Sequence, residues 1–264
     1  MDTLLCLGFG YSARTFAKGW HAFGTWRSAP FDVPGVTPIP WGEMPDSISH
    51  VLVSAAPDAQ GDPSLRVYKD QMNNANWIGY LSTTAVYGDH QGGWVDETTP
   101  VNPMSERGRW RVKAEQEWLA TGLPVQIFRL AGIYGPGRGP FEKVRNGTAQ
   151  RVIKPGQVFS RIHVEDIAQV LHASITRGKP GDIWNVCDDD PAPPEDVIGY
   201  AATLLNLPLP PAVPFDQAQM SPMARSFYSE NKRVRNDRIK RDLGITLKYP
   251  TYREGLAALL ETEQ

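Results

Sequence analysis

The chain opens on an unbroken apolar run, Leu4-Leu5-Cys6-Leu7. It gives way to Gly8-Phe9-Gly10 and then to Tyr11-Ser12-Ala13-Arg14-Thr15-Phe16-Ala17. A short run without alternation reads as a strand buried on both faces, and the stretch after the glycines reads as a helix. The same sequence of signals recurs. Residues 22–28 predict a second strand ending in a basic turn, 36–39 a short edge strand marked by Pro38, and 50–57 a buried strand ending in small residues. Residues 63–73 predict a helix, and 77–84 a strand running into Ala85-Val86-Tyr87-Gly88. A helix over 107–120 follows a long polar loop, and 125–130 is another buried strand. Strands alternating with helices imply right-handed βαβ units on a mostly parallel sheet.

The later chain is punctuated differently. Prolines crowd residues 191–194 and 208–214, and the chain closes on a predicted helix over 252–261. The expected division is a nucleotide-binding domain over 1–187, with 132–160 contributing to a small lobe. Residues 188–264 complete that lobe, on the carboxyl edge of the sheet where open α/β folds bind ligands.

Composition narrows the classes. With 41% hydrophobic residues in 264, the chain can bury a sizeable core. A net charge of -2 offers no electrostatic argument for nucleic acid or an anionic membrane. No segment approaches a membrane span, and the first residues enter a strand without a signal-peptide pattern. Cys6 and Cys187 make neither a disulfide framework nor a zinc pattern, and the His and acidic residues lack metal-ligand spacing. Two free thiols in a reducing cytoplasm are the expectation.

The chemistry begins at the first turn. Gly8, Gly10 and Ala13 form G-x-G-x-x-A, the dinucleotide-binding fingerprint with alanine in its third small position. Gly8 permits the sharp turn, Gly10 lets a pyrophosphate approach the backbone, and Ala13 keeps the helix close to the sheet. Tyr11 and Ser12, at the helix start, complete the phosphate-facing loop. At the end of the second strand an acidic residue would bind a ribose 2'-hydroxyl, whereas arginine accommodates a 2'-phosphate. Arg27 and Ser28 stand there, so NADP is expected rather than NAD. Ala55 and Ala56 end the next strand with little bulk, allowing a cofactor close approach.

From Ser82-Thr83-Thr84-Ala85-Val86-Tyr87-Gly88 onward the chain resembles the extended and atypical short-chain dehydrogenase/reductases, the NAD(P)-dependent epimerase/dehydratase group. The resemblance runs through Arg129 to Arg138, through Arg161-Ile162-His163-Val164-Glu165-Asp166, and through Ile183-Trp184-Asn185-Val186. It implies a Rossmann-type doubly wound sheet with a small C-terminal substrate lobe. It also implies a catalytic hydroxyl five positions before Gly88, at Thr83, with Ser82 and Thr84 within one position of it. The family's Tyr-x-x-x-Lys pair maps to Arg109 and Lys113, so lysine is retained and arginine stands for tyrosine. A guanidinium stays protonated and cannot relay a proton, although it can bind an anion. Local pairing offers another reading: Lys113 with Glu117 and Arg111 with Glu115 are spaced for surface ion pairs. Tyr134 reads as packing, Asp166 as a charge at a helix start, and Asp96-Glu97 as solvated.

The resemblance therefore implies an NADP-dependent oxidoreductase or epimerase/dehydratase acting on a small polar, anionic or sugar-derived substrate. Loss of the tyrosine keeps a second class open, a non-catalytic NADP(H)-binding redox sensor or partner-binding module. Apolar residues on two faces of the 107–120 helix suggest a homodimer through that helix.

Overall fold

The unbroken apolar runs become the middle of one sheet. In the computed structural model, which describes residues 2–262, β1 (Thr3–Leu7) leads through α1 (Tyr11–Phe16) to β2 (His21–Trp26) and β3 (Val36–Pro40). The chain then crosses back to β4 (His50–Val53), α2 (Pro63–Tyr68) and β5 (Trp77–Thr83). After the short β6 (Trp94–Val95) come α3 (Glu106–Leu119) and β7 (Val125–Leu130). Next are β8 (Gly132–Tyr134), α4 (Phe141–Arg145), β9 (Arg151–Ile153), β10 (Arg161–His163), α5 (Val164–Arg177) and β11 (Ile183–Val186). The remainder holds α6 (Pro194–Leu204), β12 (Ala212–Pro214), α7 (Pro222–Phe227), β13 (Arg233–Val234), α8 (Asp237–Leu243) and α9 (Tyr252–Thr262).

Seven strands form a parallel sheet in the order β11-β7-β5-β4-β1-β2-β3. Every residue of β1, β4 and β7 is buried, as strands covered on both faces require. One face packs α1 and α5, where the Phe16 ring lies 4.6 Å from His172 and 5.8 Å from Trp77. The other packs α2 and α3, with Trp118 6.0 Å from Tyr80. The strand order reverses between β1 and β4, so their carboxyl ends open the crevice where such sheets take ligands.

The element ends differ from expectation for local reasons. β4 stops at Val53 because the N–H groups of Ser54 and Ala55 both turn to the Leu7 carbonyl, each at 2.9 Å. β5 stops at Thr83, whose Oγ1 accepts the Ala85 N–H at 3.2 Å and starts a 3-10 turn over Thr84–Tyr87. The 63–73 helix is an α-turn pair followed by a 3-10 turn, Lys69–Gln71.

The second lobe grows from the carboxyl edge. Its core joins Tyr134, Phe141, Val197, Tyr252 and Leu256, and its sheets are pairs: β8 with β10, β9 with β12, β6 with β13. On α3, Ala114 and Trp118 are buried and Val112 packs on the main core, leaving Leu119 as its exposed large apolar side chain. Among the described residues both cysteines are buried and free, and no helix is long and apolar enough to cross a membrane.

His163 gives the fold a pH dependence. It is 1% exposed, its Nδ1 accepts the Glu165 N–H at 3.2 Å to cap α5, and burial pushes its pKa down to about 4. The unfolded chain binds this proton near pH 6.5 while the folded chain refuses it until about 4, so stability falls as pH drops between those values. Denaturant unfolding across pH 4–7 should show a component of up to about 3 kcal/mol that is missing in His163→Phe.

Candidate functional site

The site starts where β1 ends. Gly8 turns the chain with φ +86°, and a Cβ added there would stand 2.9 Å from the Ala55 nitrogen, so glycine is required twice over. The Gly8 N–H donates to Thr25 Oγ1 at 2.8 Å, and that hydroxyl donates to the Cys6 carbonyl at 3.3 Å, tying the turn to β2. Gly10 has φ -94°, which any residue adopts, and a Cβ there would meet only Ser54 Oγ at 3.9 Å. That open face is the room a backbone-bound phosphate needs. Ser12 and Ala13 are buried behind it, and Tyr11 OH donates to the Pro136 carbonyl at 3.0 Å with the Arg138 guanidinium 5.6 Å from its ring. Burial raises the Tyr11 pKa, only partly countered by Arg138.

From this turn a cavity of about 910 Å³ runs past the carboxyl ends of β5 and β7 into the second lobe. Its wall includes Tyr11, Ser12, Ser54, Thr83 and Arg111 on one side, and Tyr134, Arg161 and Lys232 on the other. Thr83 thus lies in the cavity and also starts the 3-10 turn with its side chain.

A buried polar chain lies beneath Thr83. Glu115 on α3 receives Arg129 Nη2 at 2.8 Å and Nε at 3.2 Å, and Ser82 Oγ donates to it at 2.5 Å. Arg129 Nη1 donates to Tyr87 Oη at 3.0 Å, Tyr87 OH donates to Asn185 Oδ1 at 2.7 Å, and the Asn185 N–H donates to Glu97 at 2.9 Å. Burial works against the Arg129 charge, but the Glu115 carboxylate more than offsets this and raises its pKa. Burial pushes Tyr87 up to about 12. Two expectations are corrected here. Glu115 is not the surface partner of Arg111, and Glu97 is half-buried against β11 rather than solvated.

Docking α3 through Glu115 decides which of its cations meets the cavity. Gly108, Glu115 and Trp118 face inward, and Arg111 between them lines the cavity, with Nη1 donating to Tyr80 Oη at 3.1 Å and to the Leu81 carbonyl at 2.5 Å. Arg109 and Lys113 lie outside the lining. Arg109 is exposed and donates to the Met104 carbonyl at 3.3 Å. Lys113 is exposed with Nζ 3.6 Å from Glu117, the local pair that its spacing allows. A usable signal was Gly108: a Cβ there would come within 2.8 Å of Pro103, and Arg107-x-x-x-Arg111 repeats the four-residue spacing two positions earlier.

At the end of β2, Arg27 and Ser28 are exposed, and the Arg27 guanidinium stacks 4.1 Å from the Trp41 ring. Ala55 is half-buried against Gly8 and Ala56 is exposed. Asp58 is committed to Arg66 at 2.7 Å. Tyr134 is buried with its OH donating to the Thr251 carbonyl at 3.4 Å, and Asp166 accepts the Lys248 and Tyr249 N–H groups, docking the tail. Ser54, Arg111, Arg161 and Lys232 are cavity residues that the sequence reading did not single out.

The comparisons agree with this architecture. Residues 69–187 match the model of the NAD dependent epimerase/dehydratase family. The chain is 57% identical, over the full length of both chains, to a structurally solved, functionally unknown conserved protein from Silicibacter pomeroyi DSS, with a TM-score of 0.92. It is 33% identical to Protein YeeZ of Escherichia coli K12 over 175 residues, which span 65% of this chain but 58% of that protein. Human epimerase family protein SDR39U1, solved with NADPH, is 17% identical with a TM-score of 0.77 over 99% of each chain, a likeness of fold. Over residues 69–187 the chain is thus similar to the NAD dependent epimerase/dehydratase family, and over its whole length it shares the fold of solved proteins of that kind.

Two pairs of variants test this geometry. Gly8→Ala should cost about 1–3 kcal/mol through strain, whereas Gly10→Ala should stay within about 0.5 kcal/mol of the parent by urea unfolding. Arg129→Met strands Glu115 as a buried charge and should cost about 3–5 kcal/mol in the same measurement; a loss near zero would mean that the pair does not anchor α3.

Proposed function

We propose that the protein is an NADP(H)-binding oxidoreductase or nucleotide-sugar epimerase/dehydratase-like enzyme acting on a small polar substrate. The observation that carries this reading is one cavity whose wall runs from Tyr11 and Ser12, beside the Gly10 turn, past Thr83 to Tyr134 and Arg161 of the second lobe. The residues suit a dinucleotide: Gly8 to Ala13 hold the pyrophosphate, Arg27 and Ser28 the 2'-phosphate, and Ala55 and Ala56 leave room for the adenosine side. A nicotinamide dinucleotide, when bound, supplies hydride acceptance and donation. Arg111 takes the place beside the nicotinamide ribose that Lys113 was expected to fill. Thr83 still has its proton to donate to a substrate oxygen, since it uses only an acceptor site on the Ala85 N–H. The roles left to Arg109 and Arg111 are binding and charge stabilisation.

A second reading is favoured by one observation. Helix α3 carries no tyrosine, and its cavity-facing cation is an arginine. A site that retains the cofactor but lacks its proton relay suits a redox sensor.

Calorimetric titration of NADP+, NADPH, NAD+ and NADH separates these readings. The enzyme reading expects NADP(H) to bind more tightly than NAD(H), and Arg27→Ala to weaken the phosphorylated pair about tenfold or more while sparing the other. Equal affinity for the two pairs would remove the assignment of Arg27, and no binding of any would remove both readings. A strong preference for one oxidation state with no turnover would select the sensor.

A further inference from the structure

The cavity wall carries the cations Arg111, Arg138, Lys143, Arg161 and Lys232 against one acid, Glu230. Arg138 stands by Tyr11 at the phosphate end, and Arg111 is fixed to the Leu81 carbonyl under the sheet edge. Arg161 is different. Thr83 is registered opposite Leu130, β8 begins two residues later, and Gly132 is registered opposite Arg161. By this backbone route the two positions are at most about 16 Å apart, a gap that a long side chain and a small substrate close.

The guanidinium at that position is held but not consumed. Its Nη1 donates to the Phe159 carbonyl at 2.8 Å and to the Ala192 carbonyl at 3.1 Å, while Nε and Nη2 bond no group among the described residues. Burial lowers its pKa, Asp188 being the main influence in the other direction. Yet Asp188 forms no contact ion pair with it, and burial pushes the Asp188 pKa far above the usual carboxylate range. A guanidinium taken from water without a partner anion is costly, and its free edge presents two parallel N–H donors.

Lys232 stands on the adjoining wall, where the β13 Val234 N–H donates to Ser160 Oγ at 3.2 Å. Its ammonium bonds Glu230 at 2.6 Å and the Gly88 carbonyl at 2.8 Å, leaving one of three donors free, with only 10% of the side chain exposed.

We propose that Arg161, assisted by Lys232, anchors an oxyanion of the substrate, a carboxylate or phosphate held close to the carbon that reacts beside Thr83. The proposal rests on the active-site reading above and assigns it a substrate class, a compact anion whose charged group lies near its reacting centre. The Arg161 fork supplies the bidentate contact and orientation; Lys232, already partly neutralised by Glu230, adds a single donor.

Malonate and inorganic phosphate serve as probes, titrated by calorimetry into the protein saturated with NADP+, so that the cofactor's own phosphate sites are filled. Saturable binding of at least one is expected, weakened about tenfold or more in Arg161→Gln and by less in Lys232→Met. Tighter malonate marks a carboxylate substrate and tighter phosphate a phosphorylated one. If thermal melting shows that Arg161→Gln does not fold, Arg161→Lys decides, because it keeps the charge and loses the fork. Affinity unchanged by substitution at Arg161, or no saturable binding of either probe, overturns the proposal while leaving the cofactor reading intact. Failure of NADP+ to bind defeats that reading instead, and the same titrations on the cofactor-free protein still read the Arg161 dependence.

Discussion

The Glu115–Arg129 pair is the contact on which the arrangement of this site depends. Both side chains are 5% exposed, so neither charge can be left alone without a heavy desolvation cost. Satisfying them joins helix α3 to β7, reaches β5 through Ser82, and extends to β11 through Tyr87 and Asn185. A helix fixed at Glu115 has no rotational freedom left. Residues three and four positions away must follow, and Arg111 is therefore turned to the cavity while Lys113 is turned to solvent.

The sheet supplies the other constraint. Its order reverses between β1 and β4, so the Gly8 turn and the Ser54 turn meet at one edge, with Thr83 one strand further along. The second lobe then closes over that edge because Tyr134, at the end of β8, is drawn into a core with α6 and α9. A chain that leaves β7 and returns as β10 thus brings Arg161 over the same crevice that the first turn opens.

Much of this was legible in the sequence, and the reasons for the rest are physical. Strands with four to six buried residues announce themselves by composition, and the Gly8/Gly10/Ala13 turn by spacing. Glu115 did not, because its spacing from Arg111 fits an exposed ion pair equally well and its true partners lie on other strands. The register of α3 was lost for the same reason: charged residues line both faces, and the inward face is marked mainly by Gly108 and by buried Ala114 and Trp118. The second lobe is built on strands of two or three residues, too short for any periodicity, so the stretch from Arg161 to Asp166 was legible only as a resemblance and nothing marked Arg161 or Lys232 as facing a cavity.

On the proposed reading, the buried pair presents Arg111, and not Lys113, to the nicotinamide end of a bound dinucleotide. A crystal structure of the complex with NADPH measures this directly. The Arg111 guanidinium is expected within hydrogen-bond distance of the nicotinamide ribose, with Lys113 still beside Glu117 in solvent. Lys113 on that ribose, with Arg111 turned away from the cavity, would contradict it.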